Sequence, residues 1–143
     1  MTKFRKIEDL NFAKEIYDIS IDPLSRKFSK DTRKFSFNSH LKWLIKIISS
    51  KKNDIFIFEN QNKIVGFIIL KKKIKFNYLS WAVDPIHRGN GFGKKMLKLF
   101  IKKYQKKYTA EIKENNYISQ ELCLKCGFKF FKKKGKFKIY CTS

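Results

Sequence analysis

Arg88, Gly89, Gly91, Gly93 and Lys94 fall within seven residues. They follow an apolar run, Leu-Ser-Trp-Ala-Val at 79–83, which Asp84 and Pro85 bring to an end. They precede a segment in which Gly93, Met96, Leu97, Phe100, Ile101 and Tyr104 recur at helical spacing, with lysines at 94, 95, 98, 102, 103, 106 and 107 opposite. Strand, glycine-rich turn and helix start together can hold an anion. First-turn N–H groups have no intrahelical partner, and that end of the helix dipole is positive. Glycine lets the backbone approach a phosphate with no Cβ between them. The spacing therefore predicts a phosphate or pyrophosphate cradle at 88–94; the plainer alternative is a helix that starts after a flexible turn. No Gly-Lys-Ser or Gly-Lys-Thr is present, which excludes the nucleoside-triphosphate loop. The turn lies in mid-chain, and Glu111 and Glu114 do not close the second parallel strand of a dinucleotide-binding unit.

Other chemistry-bearing residues are few. Glu111 sits in Ala-Glu-Ile-Lys at 110–113, an otherwise half-apolar strand. A carboxylate at a strand end near a cleft can move a proton directly or through a water; the alternative is a solvent-facing glutamate paired with a lysine. Cys123-x-x-Cys126 has the spacing of zinc or redox work, but there is no second pair, and His40 and His87 have no ligand spacing to it. With Cys141 the count is odd, so free thiols and no metal are expected.

The elements that would position these groups alternate along the chain. A strand at 3–7 is followed by a helix that Glu8 and Asp9 open, running to about Ile19. Residues 21–37 read as irregular, with Asp22-Pro23 as a breaker. Asn38 or Ser39 is expected to cap a helix carrying Leu41, Leu44, Ile45 and Ile48 on one face. Strands are expected at 54–59 and 64–70 around a Gln61-Asn62 turn, with Gly66 at a bulge and Lys71–Lys73 as a solvated turn. Further strands fall at 76–83, 108–113, 128–131 and 137–141, with a helix at 117–126 closed by Gly127.

The chain has 143 residues, enough for one domain over 1–143 with one modest core. No apolar run approaches the roughly 18 residues of a membrane span. Met1 begins a polar segment without an apolar leader, so cytoplasmic residence is the expectation. The net charge of +22 suggests nucleic acid, but only four arginines, at 5, 26, 33 and 88, stand among the 34 basic residues. Nucleic-acid contacts favour arginine, and these lysines are spread along the chain, so nucleic acid is not expected as a partner. The charge should instead draw anionic substrates to the surface.

Val83-Asp84-Pro85 followed by Arg88-x-x-Gly91-x-Gly93 resembles the acetyl-coenzyme A loop of the GNAT N-acetyltransferases. Asn116-x-x-Ser119 with Gly127-Phe128 is similar to a second segment of that family, and Phe4–Asp9 to its first strand and helix start. The resemblance implies an α/β (α+β) fold, with a mixed central sheet of about seven strands and about four flanking helices. It implies acetyl-coenzyme A as co-substrate, held at its pyrophosphate by Arg88, Gly89, Asn90, Gly91, Phe92, Gly93 and Lys94. Trp81, Ala82 and Val83 match the family's splayed strand, whose backbone pairs with the pantetheine arm, and Asn116 lies near the same arm. Glu111 matches the glutamate base of the related ribosomal-protein alanine acetyltransferases. Cys123 stands where the family usually has a tyrosine general acid; its thiol could take that role or be a small core residue.

His40 and Trp43 resemble a stretch of the branch acting on nucleotide-linked amino sugars, which would let His40 touch substrate; otherwise it is an exposed first-turn histidine. His87 is expected to face solvent. The implied reaction carries acetyl to a primary amine of a small molecule, a nucleotide-linked amino sugar first, then a protein N-terminus or a polyamine. A binding module that keeps the fold and lacks turnover is the competing class. The expected assembly is a monomer or homodimer, without membrane or metal.

Overall fold

The computed structural model describes residues 2–142. Seven strands form one sheet in the order β1-β2-β3-β4-β5-β7-β6: β1 (Thr2–Lys6), β2 (Asn53–Asn60), β3 (Lys63–Lys72), β4 (Asn77–Val83), β5 (Tyr108–Lys113), β6 (Phe128–Lys134) and β7 (Phe137–Thr142). Every neighbouring pair is antiparallel except β4 and β5. Helices α1 (Ala13–Ser20) and α3 (Phe37–Ser49) cover one face, burying Ile16, Ile19, Leu44 and Ile47 against Ile55, Ile57 and Phe67. Helices α4 (Phe92–Lys103) and α5 (Tyr117–Lys125) cover the other, where Met96, Leu97, Phe100 and Cys123 meet Phe56, Ile68, Leu79, Tyr108, Ala110 and Tyr140. Period-two alternation along β5 thus buries Tyr108, Ala110 and Ile112 under α4 and α5 and turns Thr109, Glu111 and Lys113 to the opposite face.

A fifth helix, α2 (Pro23–Phe28), occupies part of the segment expected to be irregular. Asp22 does not break the chain there. Its carboxylate accepts from the Leu24 and Ser25 amides at 3.2 and 3.3 Å, and Pro23 supplies a preset φ at the first helical position. Helix α1 starts at Ala13, later than expected, because Asp9 turns its carboxylate onto the Asn11 amide at 3.0 Å and closes a local turn. Ser36, not Asn38 or Ser39, caps α3 by accepting from the Ser39 amide at 3.1 Å.

Gln61 and Asn62, with φ of 53° and 63°, make the expected tight turn between β2 and β3. The bulged residue is Val65 rather than Gly66, since Phe58 pairs with Gly66 and Glu59 with Ile64. Gly66 answers to packing instead: a Cβ there would stand 2.6 Å from the Ala82 carbonyl oxygen. Lys71 and Lys72 lie in β3, and the turn closes through Lys73 and Phe76.

Candidate active site

Parallel strands β4 and β5 pair only at Asn77 with Tyr108 and Tyr78 with Thr109, then part. The direction of the freed backbone groups follows from β3. The Asp84 N–H donates to Val65 O at 2.8 Å and the Phe76 N–H to Lys73 O, so the even positions of β4 bond β3. By alternation the N–H and C=O of Trp81 and Val83 face the opening, and those of Ala82 are used within the sheet. Ala82 was expected to share that backbone role; its polar groups point the wrong way for it.

At the end of β4, Asp84 caps the short 3-10 turn Pro85–His87, and the glycine turn leads into α4. Gly89 and Gly91 take φ of 80° and 76°, a left-handed conformation that excludes most side chains, and a Cβ on either would meet nothing within 4 Å. The first turn of a 12-residue helix therefore opens onto free space, bordered by the exposed Lys94. These features fit a pyrophosphate. Gly93 is small for another reason: its Cβ would lie 3.3 Å from Leu122 Cδ2 and 3.6 Å from Val83 Cγ2, so it lets α4 sit close on β4 and α5. Asn90 folds its amide back toward the His87 and Arg88 carbonyls, and Phe92 packs edge-on against His87.

His87 does not face solvent as expected. It is half-buried, with Nδ1 3.1 Å from Asp84 Oδ2. Arg88 also turns away from the helix mouth: its guanidinium donates to Asp22 Oδ2 at 2.8 Å and to Ser25 Oγ at 3.2 Å, tying the glycine turn to α2. Partial burial works against the Asp22 carboxylate, but Arg88 and the Ser25 and Leu24 amides outweigh it and hold its pKa below 3.8. That contribution to stability is complete above the unfolded value and lost as pH falls through the folded one. Asp22→Asn keeps the helix cap and removes the charge. It should cost about 1 kcal/mol in urea unfolding at pH 7, and the difference from wild type should begin to narrow as pH falls below about 4 and vanish once pH is below the folded-state value.

Glu111 stands on the α1 face, level with the opening, with its side chain 14% exposed. Its Oε2 lies 2.8 Å from Lys30 Nζ. Lys113 beside it donates to the Lys27 carbonyl at 2.9 Å, fastening α2 over β5. Lys71 has its pKa lowered by burial first, then by the like charges of Lys30 and Lys73, with Glu111 opposing. One carboxylate thus faces several ammonium groups. Asn116 caps α5, its Oδ1 accepting from the Ser119 amide at 3.3 Å.

Two expectations fail on burial. Cys123 is 0% exposed and lies in the core under α5, and burial pushes its thiol pKa well up, with Cys126 adding to the shift. A sealed, weakened acid cannot deliver a proton to a leaving group in the opening. Cys123→Ala should cost about 1 kcal/mol of stability while leaving kcat within about threefold, whereas losing a general acid would cost about 10²–10⁴. His40 is 1% exposed, neither a substrate contact nor a surface residue. Its Nε2–H donates to the Ala13 carbonyl at 3.0 Å, it stacks on Trp43, and burial lowers its pKa, so it is a neutral clamp between α1 and α3.

Lys30, Asp22 and Ser25 were not legible as site residues. Their partners lie 81, 66 and 63 positions away, and Asp22-Pro23 read only as a breaker in an irregular segment. A cavity of about 360 Å³ between β1, β2 and the end of α3 is lined by Asp54 and by Lys6 and Lys72, which both pair with it. It lies at the start of β4, at the far end from the glycine turn. Among the described residues no cluster of three metal-ligating side chains occurs, and no helix is long and apolar enough to cross a membrane.

Comparison with known proteins agrees with this geometry. A domain from Methanocaldococcus jannaschii is 23% identical, superposing with a TM-score of 0.81 over 99% of this chain and 97% of its own. The Campylobacter jejuni N-acetyltransferase PseH, in complex with acetyl coenzyme A, is 17% identical with a TM-score of 0.74, covering 100% and 99%. Spermidine N-acetyltransferase from Vibrio cholerae, in complex with CoA and spermine, is 14% identical with a TM-score of 0.80, covering 98% and 92%. At these identities the likeness is one of fold. No curated protein sequence matches the chain. The acetyltransferase (GNAT) family matches residues 13–128, from the start of α1 through the glycine turn to the start of β6. The chain belongs to the GNAT family and is an acetyl-coenzyme A-dependent N-acetyltransferase.

Proposed function

We propose that this enzyme acetylates the primary amine of a small, negatively charged molecule, with a nucleotide-linked amino sugar as the preferred acceptor. The observation that carries the reading is the parting of β4 from β5, with an open helix mouth at its end and the Glu111 carboxylate at its edge. Acetyl-coenzyme A bound there supplies the activated acyl group. The turn amides at 89–94 and Lys94 hold the pyrophosphate. Trp81 and Val83 offer backbone groups to the pantetheine arm and an amide to the thioester oxygen. Asn116, at the start of α5, borders the same arm. Glu111 takes the proton that an ammonium must lose before it can attack. With Cys123 sealed in the core, the departing thiolate draws its proton from solvent.

The acceptor's class follows from the lysines. Lys30 pairs with Glu111, Lys71 lies within charge range of both, and Lys113 follows two residues along β5, on a chain of net charge +22. A polyamine would be repelled there, and a diphosphate beside the amine would be attracted. Thiol release should be followed on a nucleoside-diphosphate amino sugar, spermidine and a peptide with a free N-terminal alanine. The amino sugar should exceed spermidine by at least about tenfold in kcat/KM, or about 1.4 kcal/mol, which is modest for unlike against like charge. Spermidine as the best acceptor would overturn the assignment. Coenzyme binding with no release from any amine would make the chain a binding module.

A further inference from the structure

The primary amine nearest the candidate base belongs to the protein itself. Lys30 Nζ stands 2.8 Å from Glu111 Oε2, at hydrogen-bond distance, while the lysine side chain as a whole remains 69% exposed. An exposed ion pair is often an accident of a mobile side chain. This one is carried on a braced loop. Arg26, half-buried behind the loop, donates to Ser29 Oγ at 3.2 Å and to the Asp31 carbonyl at 3.1 Å, gripping the residues on either side of Lys30. The same guanidinium reaches back to the Ser20 carbonyl at 2.7 Å, and its plane lies over the Phe35 ring at 4.7 Å. Ser29 in turn donates to the Ser25 carbonyl at 2.6 Å. Lys113 pins the end of α2 to β5 from below, and Arg88 pins its start to the glycine turn. The loop is thereby fastened to both the coenzyme side and the base side of the opening, with Lys30 at its tip.

We propose that Lys30 is an internal acetyl acceptor, a tethered amine in the acceptor position that this chain acetylates in cis. The inference rests on the function proposed above. In the balanced step, Glu111 takes a proton from the Lys30 ammonium and passes it to solvent. The free amine forms a C–N bond to the acetyl carbon, the adduct nitrogen gives its second proton to solvent as the C–S bond breaks, and coenzyme A leaves as a thiolate that takes one proton from solvent. The products are Nε-acetyl-Lys30 and free coenzyme A. Tethering favours this reaction because no acceptor has to be captured from solution. Acetylation removes the charge that pairs with Glu111, so the modified loop no longer competes with an external ammonium for the carboxylate.

The test compares two acetyl donors on the full chain, read by mass spectrometry of the peptides that carry Lys30, Lys27 and the other lysines. N-hydroxysuccinimidyl acetate needs no coenzyme site and reports only how available each amine is. Lys30 Nζ is engaged by Glu111 Oε2 at 2.8 Å, so it should be slower with this reagent than the exposed Lys27 on the same segment. With acetyl-coenzyme A the order should invert: Lys30 should be labelled at least about tenfold faster than any other lysine, at a rate independent of protein concentration. Glu111→Gln should move the two reactions in opposite directions, speeding the chemical reagent at Lys30 and slowing acetyl-coenzyme A.

Lys30 labelled no faster than its neighbours by acetyl-coenzyme A, or fastest with both donors, would overturn the proposal. So would a rate rising with protein concentration, which signals transfer between molecules. Calorimetry separates this failure from a wider one. Absent coenzyme binding would overturn the function as well, whereas coenzyme binding with small-amine turnover and an unlabelled Lys30 would overturn the internal acceptor alone.

Discussion

Gly91→Val is expected to reduce coenzyme A affinity by more than about 100-fold, or about 2.7 kcal/mol. Gly91 caps α4 with φ of 76°, so a β-branched residue there is strained by about 1–3 kcal/mol. Strain lowers stability, however, and does not of itself abolish binding. The specific loss comes from position: a Cβ on Gly91 meets no protein atom within 4 Å, so the new side chain projects into the space the pyrophosphate is to fill. Gly135→Val supplies the control. Gly135 also has positive φ, 59°, and open space at its Cβ, but it lies in the turn between β6 and β7. It should suffer similar strain and bind coenzyme A as wild type does. Calorimetric titration of both folded variants checks this; unchanged affinity in Gly91→Val would remove the pyrophosphate from the mouth of α4.

The glycine turn was readable because its signals are local. Strand end, positive-φ glycines and an amphipathic helix follow one another within a short stretch, and β5 appears at the expected 108–113 for the same reason of simple alternation. The parting of β4 from β5 has no local signature. Nothing in Asn77–Val83 says where a parallel partner stops, and only the family resemblance raised it. Helix α2 escaped notice because none of its residues is buried, so no apolar stripe marks it. It is held by contacts with Arg88 and Lys113, which are remote in sequence. His40 misled in the same way: its place in a first helical turn suggested exposure, but its partner, the Ala13 carbonyl, lies 27 residues earlier.

Glu111→Gln is expected to lower kcat by about 10²–10⁴, the usual worth of a positioned base, and to leave coenzyme affinity unchanged. Glutamine fills the same volume, and Glu111 lies on the sheet face opposite α4, so a fall in turnover would report on the carboxylate's charge. The deficit should narrow as pH rises toward the pKa of the acceptor's own amine, because solvent then delivers the unprotonated acceptor. The competing view is that Glu111 merely anchors the loop through Lys30. On that view the loss would be the same at every pH, and Lys30→Met, which breaks the same ion pair, would reproduce it. If Glu111 is the base, Lys30→Met should do the reverse. It frees the carboxylate from its internal partner, so turnover at low amine concentration should rise while Glu111→Gln stays slow.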